Sequence, residues 1–256
     1  MRNETILVKE ARGILTVTFN RPKSKNSING AFLRELNDAL DLSLRNSECR
    51  MVVLEGQNGV FSTGMDFNDR ASGNYDEKLD RLSLVRYMEM LKRFREIPRI
   101  VISIVDGQVI AGGVGLVAAS DLVIATPRAR FGLSEALWGM LPGMLLPFLI
   151  RRVGFQKAYS MTLTTMPVSA VEAHSFNLVD EVTETPDQTI LQLTQRLIRL
   201  EESTIENIKQ FFLKLWPITG EFEEMAVAES FRLMNDPKVR ENIDNFVRYK
   251  KFPWNK

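Results

Sequence analysis

AGGVGLVAASD, residues 111–121, runs from a pair of glycines into a series of small apolar residues. A glycine turn ahead of a helix leaves backbone N–H groups without partners, so it can hold a phosphate or a developing oxyanion. The same composition also allows two elements to pack closely. The stretch lacks the lysine of a P-loop and the full G-x-G-x-x-G spacing of a dinucleotide fingerprint, which disfavours nucleotide binding.

Strand and helix patterns alternate on both sides of this turn. Residues 6–22 form a hairpin pattern around Gly13, and residues 31–45 carry apolar side chains at helical spacing. Further strands are predicted at MVVLEG, RIVISIV and DLVIAT, and a charged helix at residues 84–94. This alternation is typical of the α/β class.

The pattern becomes helical from Leu145 onward. Ser169 and Asp187 are predicted N-caps, and apolar residues recur three and four apart through residues 191–200 and 211–215. The exposed apolar face predicted around residues 211–216 needs a partner, which favours an oligomer. We divide the chain into a core domain, residues 1–195, and a C-terminal helical region, residues 196–256.

Composition excludes several classes of function. The chain has 33 basic and 32 acidic residues and a net charge of +1, which suggests neither a nucleic acid nor a membrane as partner. Its single cysteine, Cys49, and single histidine, His174, leave no basis for a metal site or a Ser-His-Asp triad. We find no targeting or membrane-spanning segment and expect a cytoplasmic protein.

Two further segments have the chemistry of a site. FSTGMD, residues 61–66, is a second glycine turn after a strand, and two such turns can aim two N–H groups at one oxygen. Glu135 stands among small and apolar residues in ARFGLSEALWGMLPGM, residues 129–144. Burial of that carboxyl would raise its pKa toward neutrality and suit it to proton transfer.

In order along the chain, FNRPKSKNSIN, FSTGMDF, IVDGQVIAGGVGLVAASD and FGLSEALWGMLPG resemble the enoyl-CoA hydratase, or crotonase, superfamily over essentially the whole chain. The resemblance implies a ββα spiral core with a C-terminal helical trimerisation region. It also implies an oxyanion hole for a thioester, made by the backbone amides of Met65 and Gly112, with Glu135 as the catalytic carboxylate.

One position departs from the family pattern. Hydratases of this family carry a second glutamate after the glycine turn, and here that position is Gly115. This single-glutamate pattern, with LPFLIRRVGFQKAYSMTLTT and the terminal KFPWNK, resembles the dehydratases of polyketide β-branching. That resemblance implies dehydration of 3-hydroxy-3-methylglutaryl on an acyl carrier protein to 3-methylglutaconyl. It implies a phosphopantetheine or CoA thioester as substrate, no other cofactor, and a homotrimer or hexamer.

Three other functions stay open from the sequence: a hydratase or isomerase of free acyl-CoA, the sister decarboxylase of the same fold, and a scaffold without turnover. No second acid can be chosen; the polar candidates are Tyr87, Glu89, Asp69 and Tyr75. Arg70 and Arg86 are candidates for a distal carboxylate, and Lys23 and Lys25 for a phosphate or an acidic carrier protein.

The remaining polar residues are given structural roles. His174 is read as structural, whereas Asp66 and Asp121 are expected to fix turns through backbone hydrogen bonds. Trp138 and Met140, which neighbour Glu135 in sequence, are predicted to form part of the pocket wall.

Overall fold

The computed structural model describes residues 4–71 and 77–255, without the side chains of residues 70 and 71. Its strands are β1 (Ile6–Ala11), β2 (Ile14–Phe19), β3 (Met51–Glu55), β4 (Val60–Ser62), β5 (Ile100–Val105), β6 (Gln108–Ile110), β7 (Leu122–Ala125), β8 (Arg130–Gly132), β9 (Val168–Ser169) and β10 (Glu181–Val182). Its helices are α1 (Gly30–Arg45), α2 (Phe67–Ala71), α3 (Glu77–Glu96), α4 (Gly112–Ala119), α5 (Glu135–Trp138), α6 (Leu146–Val153), α7 (Phe155–Thr164), α8 (Ala170–Ser175), α9 (Pro186–Leu197), α10 (Glu202–Leu215), α11 (Gly220–Met234) and α12 (Pro237–Tyr249).

The larger sheet has six strands in the order β1-β2-β3-β5-β7-β10. β1 and β2 form the predicted antiparallel hairpin, and every later pairing in this sheet is parallel. All six residues of β5 are buried, as expected for a central parallel strand covered on both faces. The α/β class predicted from the alternating pattern is confirmed.

The smaller sheet, β4-β6-β8-β9, positions the two glycine turns. β4, β6 and β8 pair in parallel, so the segments that leave β4 and β6 emerge at the same edge. One of these segments is the FSTGMD turn and the other leads into α4. Because Gly113 has no side chain, α4 can approach β4 closely. A Cβ built on Gly113 would lie 2.7 Å from the Ser62 carbonyl oxygen.

The C-terminal part is helical from α6 onward apart from two short strands, β9 and β10, which the sequence patterns did not predict. Ser169 is the N-cap of α8, as predicted, and it forms a capping box with Glu172. The prediction for Asp187 was wrong by two residues, because α9 begins at Pro186 after Thr185. The division drawn at residue 195 falls inside α9.

Several apolar side chains of α7 and α10 lie on the surface of the chain. Phe155 and Leu163 of α7 are 68% and 66% exposed, and Phe211, Phe212 and Leu215 of α10 are 58–62% exposed. Within residues 4–71 and 77–255, no helix has the length and apolar character to cross a membrane. The same residues contain no group of histidine, cysteine or carboxylate side chains placed to hold a metal ion.

A cluster of cationic groups caps the C-terminal end of α4. Arg151 donates to the Ala118 carbonyl at 3.0 Å, and Arg152 donates to the carbonyls of Ser120 and Asp121 at 2.8 and 3.0 Å. These bonds satisfy acceptors that a helix end leaves open and complement its dipole. Asp121 supplies the counter-charge, since its Oδ2 lies 2.6 Å from Lys209 Nζ and accepts the Val101 N–H at 2.7 Å.

Asp121→Asn is expected to destabilise the fold by about 3 kcal/mol, because it leaves the buried Lys209 ammonium without its counter-ion. Lys209 is 8% exposed, and burial already lowers its pKa, against the opposing effect of Asp121. Urea unfolding of wild type and of Asp121→Asn measures this change in the free energy of unfolding. Glu229→Gln is the control, since it breaks an exposed 2.6 Å pair with Arg232 and should leave the urea midpoint nearly unchanged. Equal effects would contradict the prediction.

Candidate active site

The first half of the site is the N-terminus of α4. Ala111 precedes the helix with φ 52° and ψ −123°, a conformation that costs a non-glycine residue about 1–3 kcal/mol. The surrounding bonds hold it there: its N–H donates to the Gly132 carbonyl at 2.9 Å and its carbonyl accepts from Val114 at 2.8 Å. The N–H of Gly112, which follows, has no acceptor among the residues that the structure describes.

The second half is the turn after β4. The Ile28 N–H donates to Gly64 O at 2.7 Å, and Asp66 N–H donates to Ile28 O at 3.0 Å. These two bonds flank Met65, whose own N–H has no acceptor in the described part of the chain. The flanking hydrogen bonds hold the backbone of Met65 in place, whereas its side chain is 37% exposed.

The loop between β2 and α1 holds this turn in place through a hydrogen bond and an ion pair. Ser62 Oγ donates to the Asn26 carbonyl at 2.8 Å, and Arg21 pairs with Asp66 at 2.7 Å. Burial alone would raise the pKa of Asp66, but the hydrogen bonds from Arg21 and Ser27 and the Arg21 charge lower it overall. Asp66 also accepts the Asn68 N–H at 3.1 Å, so the expected turn-fixing role of Asp66 is confirmed.

The two turns touch each other. A Cβ built on Gly64 would lie 2.9 Å from the Gly112 nitrogen and 2.7 Å from Ala111 Cβ, and Gly64 itself has φ +80°. Only glycine fits this contact. Two amide nitrogens without acceptors in the described part of the chain, at 65 and 112, are therefore brought to adjoining turns. An oxyanion hole needs two such N–H donors close together.

Glu135 is the candidate carboxylate of this site. It is the first residue of α5, and although the residue as a whole is partly exposed, its Oε2 is buried and has no hydrogen-bond partner within the described residues. Burial raises the pKa of Glu135 to about 7, against the opposing effect of the N–H groups of Glu135 and Ser134. A carboxyl that titrates near neutrality is matched to proton transfer.

An aromatic cluster, composed of Phe67, Trp138, Phe246, Phe252 and Trp254, forms one side of this region. The ring of Trp138 lies 4.8 Å from that of Phe67 and 5.3 Å from that of Phe246, centroid to centroid. It thereby joins α2, which follows the Met65 turn, to α5 and to the C-terminal helix α12. Trp138 is 6% exposed, so it is a buried member of this cluster, and its place in the pocket wall stays a prediction.

Tyr87 was expected on the surface, and this was wrong. It is 8% exposed, and its hydroxyl donates to the Gly112 carbonyl at 2.6 Å. The residues Leu84, Tyr87, Met88 and Leu91 are all buried and follow the i, i+3, i+4, i+7 spacing of one helix face. That spacing was the sequence signal that could have placed Tyr87 inside.

The other polar candidates that the structure describes lie on the surface of the chain. Glu89 and Arg86 are exposed on α3, and Asp69 and Lys25 are exposed on their own segments. Tyr75 and the Arg70 side chain lie outside the described residues. His174 Nδ1 lies 3.0 Å from the Val179 carbonyl, in agreement with its structural role.

Comparison with known proteins agrees with this geometry. The model of the enoyl-CoA hydratase/isomerase family matches residues 9–256. The bacillaene synthase dehydratase PksH of Bacillus subtilis is 34% identical over 251 residues, which cover 98% of this chain and 96% of that protein. The 1,2-epoxyphenylacetyl-CoA isomerase of Escherichia coli is 30% identical over 199 residues, 77% of this chain and 75% of that protein. The crystal structure of PksH superimposes with a TM-score of 0.91 at 33% identity, covering 98% of this chain and 99% of that one.

Fold and comparison together define a crotonase-fold enzyme of lyase type with a helical C-terminal region. The chain belongs to the enoyl-CoA hydratase/isomerase family, as its motifs predicted. Among its relatives it is similar over nearly its full length to a dehydratase of polyketide synthesis.

Proposed function

We propose that this enzyme dehydrates 3-hydroxy-3-methylglutaryl attached to an acyl carrier protein, giving the 3-methylglutaconyl thioester. The observation that carries the proposal is the buried, unpartnered Oε2 of Glu135 in a site whose two turns offer free amides. Likeness to the bacillaene synthase dehydratase supports the reaction class. The branched substrate and its carrier come from the resemblance of the sequence to β-branching dehydratases.

In the proposed mechanism, ionised Glu135 removes a proton from the carbon next to the thioester carbonyl. The electron pair moves onto the carbonyl oxygen, and the amides of Met65 and Gly112 donate to the enolate, each contributing about 2.7–4 kcal/mol by comparison with other oxyanion holes. The enolate then expels the hydroxyl at the next carbon. Glu135 returns its proton to the departing hydroxide, so one carboxylate serves both steps and one water is released.

The assembly belongs to the same proposal. The exposed apolar side chains of α7 and α10 provide a surface that a second copy of the chain would cover, consistent with a homotrimer or a hexamer of paired trimers. The substrate is carried as a phosphopantetheine or CoA thioester, and the mechanism uses no further cofactor and no metal. A cytoplasmic setting remains a prediction.

The test is intact-mass spectrometry of a carrier protein loaded with 3-hydroxy-3-methylglutaryl and incubated with the enzyme. Loss of one water is the expected result. Turnover of the CoA thioester equal to that of the carrier-bound thioester would favour a hydratase or isomerase of free acyl-CoA. Loss of carbon dioxide from a 3-methylglutaconyl carrier protein would favour the sister decarboxylase. No mass change by a folded oligomer would overturn the proposal and favour a scaffold.

The pH dependence of kcat/KM should follow Glu135. Because the base must be ionised and its pKa is about 7, kcat/KM should fall about tenfold per pH unit below pH 7 and flatten above it. Rates measured from pH 5.5 to 9 at constant ionic strength check this. Glu89→Gln, at an exposed position of α3, should leave the profile unchanged. An acid limb near pH 4.5 would show that the carboxylate is solvated.

A further inference from the structure

Tyr87 and Gly115 form a matched pair beside the site. A Cβ built on Gly115 would lie 2.0 Å from the Tyr87 hydroxyl oxygen and 2.8 Å from Leu145 Cβ. The hydroxyl from α3 therefore occupies the space that any side chain at position 115 would need. Position 115 lies one turn along α4 from Gly112, so this hydroxyl lies against the first turn of that helix.

The hydroxyl is engaged with the backbone of α4. At 2.6 Å, its bond to the Gly112 carbonyl is short, and the Tyr87 side chain that makes it is 8% exposed. Residue 112 also lies close to both the hydroxyl and the Gly64 turn, since a Cβ built on Gly112 would lie 3.4 Å from the Tyr87 hydroxyl oxygen and 3.5 Å from Gly64 Cα. Tyr87 thus holds the residue whose amide faces the turn of Met65.

The same hydroxyl stays uncharged beside Glu135. Burial first, and the negative charge of Glu135 second, raise the pKa of Tyr87 well above its ordinary value. A neutral phenol adds no second charge to the cavity, so Glu135 is left as the single ionising group of the pair. The neutral phenol of Tyr87 also keeps its proton, so it can donate to the Gly112 carbonyl at every pH where the enzyme would work.

We propose that Tyr87 is a positioning residue, which locks the first turn of α4 so that the Gly112 amide meets the thioester oxygen, and that Gly115 lacks a side chain to admit it. This inference rests on the proposed function, in which that amide holds the enolate. Tyr87 acts through Gly112 and transfers no proton itself.

Tyr87→Phe is the direct test, because it deletes one atom and the hydrogen bond while keeping the ring. With the loaded carrier protein, kcat should fall about 10- to 100-fold with KM within about twofold, since the amide acts in the transition state. The acid limb of the pH profile should stay at its wild-type position. Tyr249→Phe, at the end of α12 where the side chain is 72% exposed, is the matched control and should behave as wild type.

A second readout needs no turnover. The probe is the 3-methylglutaryl thioester of pantetheine with a ¹³C-labelled thioester carbonyl, which lacks the hydroxyl and cannot dehydrate. Its carbonyl stretch, followed by infrared difference spectroscopy, should move to lower wavenumber on binding to wild type, because two amides polarise it. Tyr87→Phe should lose much of this shift, whereas Glu135→Gln should keep it. Gly115→Ala, which displaces the hydroxyl without removing it, should resemble Tyr87→Phe and serves if that variant does not fold.

The outcomes separate the two proposals. A carbonyl shift in wild type that falls in Tyr87→Phe supports the role of Tyr87 even if no thioester is dehydrated, and that result would overturn only the proposed reaction. Wild-type rate and carbonyl shift in folded Tyr87→Phe would overturn the positioning role while leaving dehydration standing. Absence of both turnover and a carbonyl shift in wild type would overturn both.

Discussion

We expect Glu135→Gln to abolish dehydration and to raise the free energy of unfolding at alkaline pH. Both effects follow from the burial of the Glu135 carboxyl. Removal of the only proposed proton-transfer group should lower kcat by about 10³-fold, within the range for general acid–base catalysis. Glutamine keeps the size of the side chain and can neither take the α-proton nor return it. The loaded carrier protein and its mass change measure the rate.

The stability effect has a defined sign. The pKa of Glu135 is about 7 in the folded protein, against 4.5 for an ordinary glutamate, so the folded state favours the neutral carboxyl. Folding therefore loses stability as the pH rises from about 4.5 to 7, by up to about 3 kcal/mol above that interval. Because glutamine is neutral throughout, the variant should match wild type near pH 4.5 and exceed it by up to that amount at pH 8.

Urea unfolding at pH 4.5, 6 and 8 measures this difference, with Glu89→Gln as the control. Glu89 is exposed on α3, so its replacement should change neither activity nor the pH dependence of stability. A Glu135→Gln variant that retains activity within tenfold of wild type would remove Glu135 from the mechanism. An inactive variant without the gain at pH 8 would show that the carboxylate is well solvated after all.

Local patterns in the sequence were sufficient for most of the core. The hairpin around Gly13 and the parallel strands β3, β5 and β7 have strong patterns that depend on few distant contacts. β10 was missed because it has two residues, Glu181 and Val182, which pair with β7 more than 50 positions earlier. So short a strand has no periodicity of its own, and only its tertiary partner makes it a strand.

The candidate site likewise has features that local sequence predicts and features that depend on tertiary packing. The turns around Gly64 and Gly112 were readable because positive φ and close backbone approach demand small residues. The environment of Glu135 was not readable, since it depends on packing that includes α5 against α12, about a hundred residues later in the chain. The absence of a carboxylate at Gly115 was visible in the sequence, but its replacement by a hydroxyl from α3 required the tertiary structure.

Met65→Pro should lower kcat by about 10²- to 10³-fold, because it removes one of the two amides proposed to hold the enolate. Proline deletes the N–H at position 65, and that N–H takes part in no hydrogen bond within the described residues. The bonds that tie this turn to Ile28 are made by Gly64 O and Asp66 N, so neither uses the N–H that proline removes. The loss should therefore fall on catalysis and not on the turn.

Met65→Leu separates the backbone from the side chain. It keeps the N–H and replaces a side chain that is 37% exposed, so kcat should stay within about threefold of wild type. Single-turnover rates for both variants, with circular dichroism to confirm folding, provide the comparison, and the labelled carbonyl probe should shift in Met65→Leu and lose most of its shift in Met65→Pro. Since an oxyanion hole acts through N–H groups alone, equal losses in the two variants would mean that the Met65 side chain, and not its amide, contacts the thioester.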